Sequence, residues 1–448
     1  MTARGILSYG AYLPYRRLDR AEIRAVAGVG GGRGTRTVAS YDEDSTTLGV
    51  AAARRALAAA PAGVRPGALW FATVSPAYLD KTNATAIHAA LRLPDDAGAF
   101  DAGGAVRSAV GALRAGLAGP APALVVAADI RTGRPGSADE AEGGDAGAAL
   151  LAGSEADGPL VAEVLGSAGA TQEFLDRWRV PGESHSRRWE ERFGEGRYAA
   201  LGARAWDDGL KAAGVVASQV DRVVIAAAHG RAATTLARTL GVGDRVAPGL
   251  DATVGFTGAA HPALLLADTL DRAAPGEVVA LVVLADGADV VVLRTTEALA
   301  TARRAVSVAD QVAAGAPLPY GKALAWRGYL PVEPPRRPEP ARPSASAAAR
   351  SASWKFGLVG ADERPLADVQ GTIVTYTVDR LAYSPSPPVV FAIVDFDGGG
   401  RLPVELTDVD AADVAIGGRV EMTFRRLFTA DGIHNYFWKA RPVREGSA

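Results

Sequence analysis

Histidine is the residue type best suited to acid–base chemistry in this chain. The sequence of 448 residues contains 0 cysteines and 5 histidines. The lack of cysteine excludes disulfides, thiolate metal sites and thiol nucleophiles, and so few histidines argue against a histidine-rich metal site. His229 directly follows the apolar run at residues 223–228. At the end of a buried strand, a neutral imidazole can act as a base or hydrogen-bond a carbonyl, although it can also simply cap the strand.

Other polar residues are weaker candidates. His261 begins the predicted helix at residues 262–270, where it would either take part in catalysis or pack at the helix end. Tyr78 and Asp80, together with Lys81, follow a predicted strand and could supply an acid or orient a substrate. Dimer contacts or helix capping are the simpler explanations for this loop.

A serine and an acidic segment complete the candidates. Ser108 carries a hydroxyl, but no base lies at a spacing that supports a serine nucleophile. Asp145 lies in the segment GGDAGAALL, after Glu140 and Glu142, and we predict a solvated acidic loop here. Arg231 could meet a phosphate or a carboxylate, but it is equally typical of a surface arginine.

The elements that must position these residues follow an α/β pattern. Short apolar runs predict buried strands at residues 68–74, 123–127, 222–228 and 278–284. Alanine-rich amphipathic stretches predict helices at residues 47–60 and 105–117. Buried strands that alternate with helices indicate a mixed or parallel sheet covered on both faces.

The pattern also repeats. Residues 100–130 and 250–293 each contain an aspartate, a turn rich in glycine and alanine, a helix, a break, and a strand that ends in Ala-Asp. Two similar units about 150 residues apart predict a duplicated α/β unit.

Bulk properties exclude some classes of partner. The formal net charge is -2, which gives no overall electrostatic attraction to nucleic acid or to an anionic membrane. No run of about 18 apolar residues predicts a membrane span, and no signal peptide is visible at the start. We therefore expect a cytoplasmic protein that binds neither nucleic acid nor membrane.

The composition changes near residue 331. Residues 331–353 are rich in Pro, Ala, Ser and Arg and have no apolar periodicity, which predicts a semi-extended linker. Five β-rich segments follow, at residues 371–383, 387–397, 401–409, 418–428 and 434–443. Five strands in about 80 residues predict a small Greek-key barrel of the OB type.

These segments resemble a known family. The stretches GILSYGAYLPYRRL, RTVASYDEDSTTLGVAAARRAL and YLDKTNATAIHAAL are similar to the HMG-CoA-synthase-like branch of the thiolase superfamily. The turn at Asp101, the GGDAGAALL segment and the strand that ends at His229 follow in the order of that branch. The tail, from WKFGLVG to IHNYFWKARP, resembles the acyl-CoA-associated zinc-ribbon/OB-fold domain.

The resemblance assigns catalytic positions, most of which have changed. The nucleophilic cysteine of this branch corresponds to Val106, its acid–base glutamate to Val74, and its asparagine to Phe256. Only the histidine, His229, is retained. An acyl-enzyme mechanism is therefore excluded, because valine cannot be acylated. The cysteine-rich zinc ribbon between Gly357 and the barrel is deleted, so we expect no zinc.

The resemblance implies a fold and two hypotheses for function. The predicted fold is a duplicated layered αβαβα thiolase-like domain (residues 1–300), an extension and linker (301–353), and a C-terminal OB β-barrel (354–445). The first hypothesis is a cysteine-independent enzyme, with His229 as its catalytic residue, that carries out acyl transfer, aldol or retro-aldol chemistry on a thioester. The acyl group would be carried on CoA or on the phosphopantetheine of a carrier protein. The second is a non-catalytic acyl-CoA-binding or scaffold subunit that assists a partner protein. In either case the family implies a homodimer.

Overall fold

The computed structural model describes residues 2–302, 306–333, 337, 352–359, 364–430 and 432–444. The first half contains β1 Arg4–Tyr12, β2 Arg16–Asp19, α1 Arg20–Ala27, β3 Thr35–Val38, α2 Ser45–Ala58, β4 Ala68–Thr73, α3 Ala84–Ala90, β5 Gly98–Gly103, α4 Ser108–Ala118, β6 Ala123–Asp129, α5 Ala138–Glu142 and β7 Ala146–Ser154. The second half contains β8 Ala162–Ala170, β9 Arg177–Trp178, β10 Arg187–Arg188, α6 Glu191–Ala213, β11 Arg222–Ala227, α7 Gly230–Leu240, α8 His261–Leu270, β12 Val278–Leu284 and β13 Ala288–Thr295.

The remaining elements extend this domain and build the barrel. The extension contains α9 Glu297–Thr301, α10 Val308–Ala313, β14 Ala316–Pro317 and α11 Tyr320–Trp326. The barrel region contains α12 Ala352–Gly357, β15 Gly371–Asp379, β16 Val389–Phe396, β17 Arg401–Glu405, β18 Arg419–Ala430 and β19 Ile433–Pro442. Most of the predicted linker, residues 334–336 and 338–351, lies outside the described residues.

The main sheet shows the predicted duplication. Its strand order is β11-β12-β13-β8-β1-β7-β6-β4-β5. In the first half, β4 is parallel to β6, whereas β6–β7 and β7–β1 are antiparallel. The second half repeats this scheme, with β11 parallel to β12 and with β12–β13 and β13–β8 antiparallel. A short pairing between β1 and β8 joins the two halves.

The helices form layers around this sheet. Helices α4 and α8 pack between the two halves, while α2 covers β1, β6 and β7, and α6 covers β8 and β13. Helix α8 is buried over most of its length, which explains why most of its residues are apolar. The result is the predicted αβαβα arrangement.

Helix α2 shows how the sequence defines an element locally. Asp44 caps its first turn by accepting a hydrogen bond from the Thr47 amide at 3.0 Å, and the Thr47 hydroxyl accepts one from the Asp44 amide at 2.9 Å. This reciprocal capping box fixes the start of the helix. The small residues that follow allow close packing: a Cβ on Gly49 would lie 3.0 Å from Ile87.

The C-terminal domain is a closed five-stranded barrel. Its strand order is β17-β16-β15-β18-β19, and a parallel bridge between Leu406 and Ala440 closes it. All five predicted strands are present, but β15 ends at Asp379, four residues early. The Asp379 carboxylate accepts hydrogen bonds from the amides of Leu381 and Ala382, at 2.8 and 2.9 Å, and this turn stops the strand.

The barrel is joined to the α/β domain by a buried ionic network. The Arg425 side chain, which is 1% exposed, contacts Asp42 at 3.2 Å, Glu43 at 2.8 Å and Asp408 at 2.5 Å. Lys439, also buried, lies 3.0 Å from Asp42. Three acidic side chains and two basic ones therefore meet at an interface that water does not reach.

Hydroxyl groups and hydrophobic contacts complete this interface. Tyr12 donates to the Glu43 carboxylate at 2.6 Å, and Tyr436 donates to Asp44 at 2.9 Å. Burial alone would raise the pKa of Asp42, but Lys439 and Arg425 hold it at about 2. The same hydrophobic cluster includes residues of α2 and of β18, so the two domains share one core.

Candidate active site

One group of candidate residues is organised by Asp129, the last residue of β6. Its fully buried carboxylate accepts hydrogen bonds from the Thr73 hydroxyl at 2.8 Å, from the Val74 amide at 2.7 Å and from the Ala259 amide at 2.5 Å. Burial raises the pKa of Asp129. A Cβ on Gly258, whose φ is +59°, would lie 2.1 Å from this carboxylate, so only glycine fits here. Asp129 thus ties the end of β4 to the turn before α8.

Phe256 and His261 lie on either side of that turn. The two rings are 4.8 Å apart, and His261 Nδ1 lies 3.3 Å from the Thr257 hydroxyl. His261 is 3% exposed, and burial lowers its pKa to about 4. Its imidazole is therefore neutral at physiological pH. The structure brings together Val74, Phe256 and His261 around Asp129.

His229 lies between β11 and α7 and is 3% exposed. Its Nδ1 accepts a hydrogen bond from the Ala232 amide at 3.1 Å, so the side chain caps α7. An acceptor at Nδ1 means that the neutral ring carries its hydrogen on Nε2. This tautomer makes Nε2 a hydrogen-bond donor rather than a base.

A carboxylate and a phenol lie beside His229. Asp176 is 8% exposed and Tyr198 is 4% exposed. The Tyr198 hydroxyl donates to Asp176 Oδ2 at 3.2 Å and accepts from the Asp286 amide at 3.3 Å. Burial, and then the Asp176 charge, raises the pKa of Tyr198, so the phenol stays protonated. The Tyr198 and His229 rings are 6.4 Å apart.

Gly194 allows the carboxylate and the imidazole to approach each other. A Cβ at this position of α6 would lie 2.6 Å from Asp176 Oδ1 and 3.2 Å from His229 Cδ2. The two side chains therefore flank the bare backbone of the helix. Glycine inside a helix costs roughly 0.5–1 kcal/mol relative to alanine, and this close approach explains its presence here.

Arg107 follows Val106, the position that the resemblance assigns to the nucleophile. Val106 precedes it in a turn, because α4 begins at Ser108 and not at residue 105 as predicted. Arg107 bonds to Asp289 at 2.7 Å and donates to the Asp286 carbonyl at 3.0 Å. A fixed guanidinium thus connects the start of α4 to the β12–β13 hairpin that carries Asp286.

Tyr78 and Asp80 are not brought to His229. The Tyr78 hydroxyl accepts a hydrogen bond from the amide of His434 in the barrel at 2.7 Å, and the two rings are 5.1 Å apart. Asp80 is exposed and makes no hydrogen bond with the described residues, whereas Lys81 donates to Thr85 at 2.9 Å. Tyr78 therefore belongs to the contact between the domains.

The prediction of a solvated loop around Asp145 is wrong. Asp145 is fully buried and accepts hydrogen bonds from the amides of Ala39 and Arg131, both at 2.7 Å. It also pairs with the guanidinium groups of Arg36 and Arg327. Sequence alone could not show that these distant arginines enclose the segment.

The two acidic neighbours of Asp145 differ. Glu140 is 7% exposed and accepts hydrogen bonds from the Tyr320 hydroxyl, whereas Glu142 is exposed. Ser108 donates to the Gly103 carbonyl at 3.1 Å, a structural hydrogen bond in the turn before α4. Arg231 is exposed at the start of α7.

A basic groove lies beside the same part of α6. It has a volume of roughly 720 Å³ and is walled by Arg192, Arg197 and Arg204, with Phe193 and Gln172. Within the described part of the chain, the nearest acidic group to any of these arginines is Asp208, 3.9 Å from Arg204. The groove is therefore net positive, although the whole chain is slightly acidic.

Among the described residues, no group of three or more His, Asp or Glu side chains is arranged to hold a metal ion. Within the same residues, no helix combines the length and apolar character needed to span a bilayer.

Sequence reasoning missed Asp129, Asp176, Tyr198 and Arg107. Asp176 lies in an irregular stretch without periodicity, and Tyr198 lies on the buried face of a long helix. The available signal was Gly194, because a glycine within a helix often marks a close approach of side chains.

The fold and this arrangement define a thiolase-type α/β protein with an attached OB barrel. Residues 363–425 match the family described as the ChsH2, C-terminal OB-fold domain. The structure of an HMG-CoA synthase complexed with CoA superposes with a TM-score of 0.61, at 15% identity over 72% of this chain and 89% of that one. FabH, 3-oxoacyl-(acyl carrier protein) synthase III from Pseudomonas aeruginosa PAO1, gives 0.57 at 24% identity, over 66% and 99%.

Sequence similarity places the chain more narrowly. It is 32% identical over 295 residues to the hydroxymethylglutaryl-CoA synthase of Pyrococcus furiosus, a match that covers 63% of this chain and 83% of that protein. The hydroxymethylglutaryl-CoA synthase of Methanopyrus kandleri is 31% identical over 299 residues, with 63% and 85% covered. The chain belongs to the hydroxymethylglutaryl-CoA synthase family, and its OB domain is fused to the thiolase-like domain as the resemblance implied.

Proposed function

We propose that this protein is a cysteine-independent thiolase-fold enzyme that makes or breaks a carbon–carbon bond in an acyl thioester. The observation that best supports this proposal is the hydrogen bonding of the His229 ring. Its Nδ1 is held by the Ala232 amide, so the neutral ring presents an N–H at Nε2. A donor of this kind stabilises the oxygen of a thioester enolate without any covalent intermediate.

Aldol or retro-aldol chemistry fits these residues better than acyl transfer. Acyl transfer through the enzyme requires a nucleophile, and Val106 offers none. An aldol step needs only a proton acceptor near C2 and stabilisation of the enolate oxygen. Buried carboxylates and the imidazole of His229 supply groups of both kinds.

The proposed carrier is CoA or a phosphopantetheine-bearing protein. The relatives carry CoA or acyl carrier protein in their names, and one solved structure contains CoA. The groove walled by Arg192, Arg197 and Arg204 lies on α6, the helix that carries Gly194 next to His229. Its positive charge suits the phosphates of either carrier.

We also propose a homodimer. Strand β5 lies at the end of the main sheet and pairs only with β4 among the described strands. Phe100 on this edge is 47% exposed and its ring lies 4.9 Å from that of Trp70. An uncovered edge strand with an exposed aromatic side chain is suited to pairing with a second copy.

Exchange of the C2 hydrogens of acetyl-CoA in D₂O tests the proposed function without knowledge of the natural substrate. We expect the protein to accelerate this exchange, as followed by mass spectrometry. The His229→Ala variant should lose at least about 10²-fold, the typical effect of removing one donor to a developing oxyanion. The control is His88→Ala, because His88 lies on α3 and its ring hydrogen-bonds to the Pro94 carbonyl, apart from the candidate site. Equal exchange by wild type and His229→Ala would overturn the proposed role.

Arg107 favours the second candidate function, a non-catalytic subunit. Its guanidinium is fixed against the Asp286 carbonyl, and a Cβ on Gly287 would lie 2.5 Å from it. A side chain so placed beside Val106 fills space that a substrate would need. CoA binding by calorimetry, without C2 exchange and without cleavage of any 3-hydroxyacyl-CoA, would support this scaffold and refute the enzyme.

A further inference from the structure

The geometry points to Asp176 as the proton-transferring residue of this site, in place of the glutamate that Val74 has replaced. This inference rests on the proposed function and identifies a group that the resemblance to the family does not supply. Because His229 Nδ1 accepts the hydrogen bond of the Ala232 amide, the ring hydrogen belongs on Nε2, and the proposed step needs another side chain as its base.

Asp176 and the imidazole of His229 approach the same position of α6. Asp176 Oδ1 and His229 Cδ2 lie 2.6 and 3.2 Å from the same point, the missing Cβ of Gly194. The two groups are therefore less than about 6 Å apart, with no intervening side chain from that position of α6. A thioester oxygen bound by His229 would place its C2 hydrogens within reach of this carboxylate.

The surroundings hold Asp176 in a fixed orientation. Oδ2 accepts the hydrogen bond of the Tyr198 hydroxyl at 3.2 Å, and Tyr198 itself is held by the Asp286 amide and by an edge contact with Phe174 at 5.1 Å. One oxygen is thus used for orientation, and the other faces the helix backbone next to His229. A carboxylate that acts as an acid or base in a fixed position is expected to use one oxygen for orientation and the other for proton transfer.

Other charged side chains lie near Asp176. Asp286 and Glu173 are acidic neighbours, and Arg107 is the facing cation. Partial burial, and then the Asp176 charge, raises the pKa of Asp286.

The chemical step balances without a further reactant. In cleavage of a 3-hydroxyacyl thioester, Asp176 accepts the proton of the 3-hydroxyl as the C2–C3 bond breaks. The oxygen becomes a carbonyl, and the electron pair of the broken bond moves to the thioester enolate, whose oxygen accepts the Nε2–H of His229. Asp176 then returns the proton to C2. The products are a carbonyl compound and a shortened acyl thioester, and condensation is the reverse sequence.

The test compares C2 exchange of acetyl-CoA by wild type and by the Asp176→Asn, Asp176→Glu and Tyr198→Phe variants. We expect Asp176→Asn to lose about 10²–10⁴-fold in exchange, the usual contribution of a general base. Asp176→Glu should recover part of the rate, and Tyr198→Phe should shift the pH profile of exchange while leaving it measurable. Asp207→Asn, an exposed change on the outer face of α6, is the matched control.

Affinity for CoA distinguishes a lost base from a lost fold. Asp176→Asn should bind CoA within about threefold of wild type, because the change alters proton transfer and not the basic groove. If Asp176→Asn exchanged the C2 hydrogens at the wild-type rate, the assignment of Asp176 would be wrong, and the role of His229 would be unaffected. Absence of exchange in the wild type would instead refute the proposed function. If Asp176→Asn lost CoA binding and Asp176→Glu recovered binding without exchange, the residue would be structural and the assignment wrong.

Discussion

Replacement of Arg425 by methionine tests how strongly the barrel and the α/β domain depend on each other. The guanidinium of Arg425 contacts Asp42, Glu43 and Asp408 from a position that is 1% exposed. Methionine keeps much of the side-chain volume but removes the charge. Three carboxylates would then remain buried, and Lys439 would still lie 3.0 Å from one of them, Asp42.

The expected loss of stability is large because the network is inaccessible to water. Breaking a buried ion pair by removal of one partner costs about 3–5 kcal/mol, since the remaining charge is desolvated and uncompensated. Arg425 has three such partners, so we expect at least the upper part of that range. Burial raises the pKa of Glu43 to about 7 even beside Arg425. Without this cation, protonation of Glu43 favours the folded state as the pH falls from 8 to 5, so some of the loss should be recovered over this window.

Urea unfolding at several pH values measures this effect, and Arg401→Met is the control. Arg401 pairs with Asp395 on the barrel surface, where the two side chains are 61% and 44% exposed. Such exposed pairs contribute roughly 0–1 kcal/mol. A loss of under 1 kcal/mol in Arg425→Met, similar to that of Arg401→Met, would refute the view that this network binds the two domains together.

Three other changes have defined outcomes. Gly194→Ala should destabilise the protein and reduce C2 exchange, because its Cβ would collide with Asp176. At Gly196 a Cβ meets nothing within 4 Å, so Gly196→Ala should stabilise the protein by about 0.5–1 kcal/mol in urea unfolding. The wild type should lose about 3 kcal/mol of stability as the pH falls from 6.5 to 4, because the folded pKa of His261, about 4, lies below its unfolded value. His261→Gln should abolish this loss, and an unchanged pH dependence of stability would contradict the reasoning. Phe100→Glu should convert a dimer to a monomer in light scattering, and a dimer that persists would exclude β5 as the interface.

The sequence predicted the elements that depend on local periodicity. The buried strands at β4, β6, β11 and β12 lie within a few residues of their predicted positions, as do the five strands of the barrel. A continuous apolar run predicts a strand that is buried on both faces, and this pattern can be read from the segment alone. The repeat was also visible, because each half reuses the same order of turn, helix and strand.

The sequence could not predict contacts between charged residues that are far apart along the chain. Asp42 and Arg425 are 383 residues apart, and nothing in either segment distinguishes a buried charge from a solvated one. The same limit explains the wrong prediction for Asp145, which Arg36 and Arg327 enclose. An acidic segment looks solvated until the fold shows which cations reach it.

The ionic network and the candidate active site are joined by direct contacts. Asp44, at the end of the acidic run that Arg425 neutralises, caps α2, and the next residue, Ser45, donates to the Ser75 carbonyl at 2.8 Å. Ser75 in turn donates to the Asp129 carboxylate at 3.0 Å, which holds the turn before His261. The barrel is therefore linked through the start of α2 to the group around Asp129.

This continuity has a consequence for the fusion of the two domains. If the barrel served only as an attached binding module, loss of Arg425 would change stability alone. Because the Asp42–Asp44 segment depends on the barrel for its counter-charges, Arg425→Met should also slow C2 exchange under conditions in which the protein remains folded. The five strands that carry Arg425 and Lys439 would then be part of the scaffold of the site, and unchanged exchange in the folded variant would contradict this.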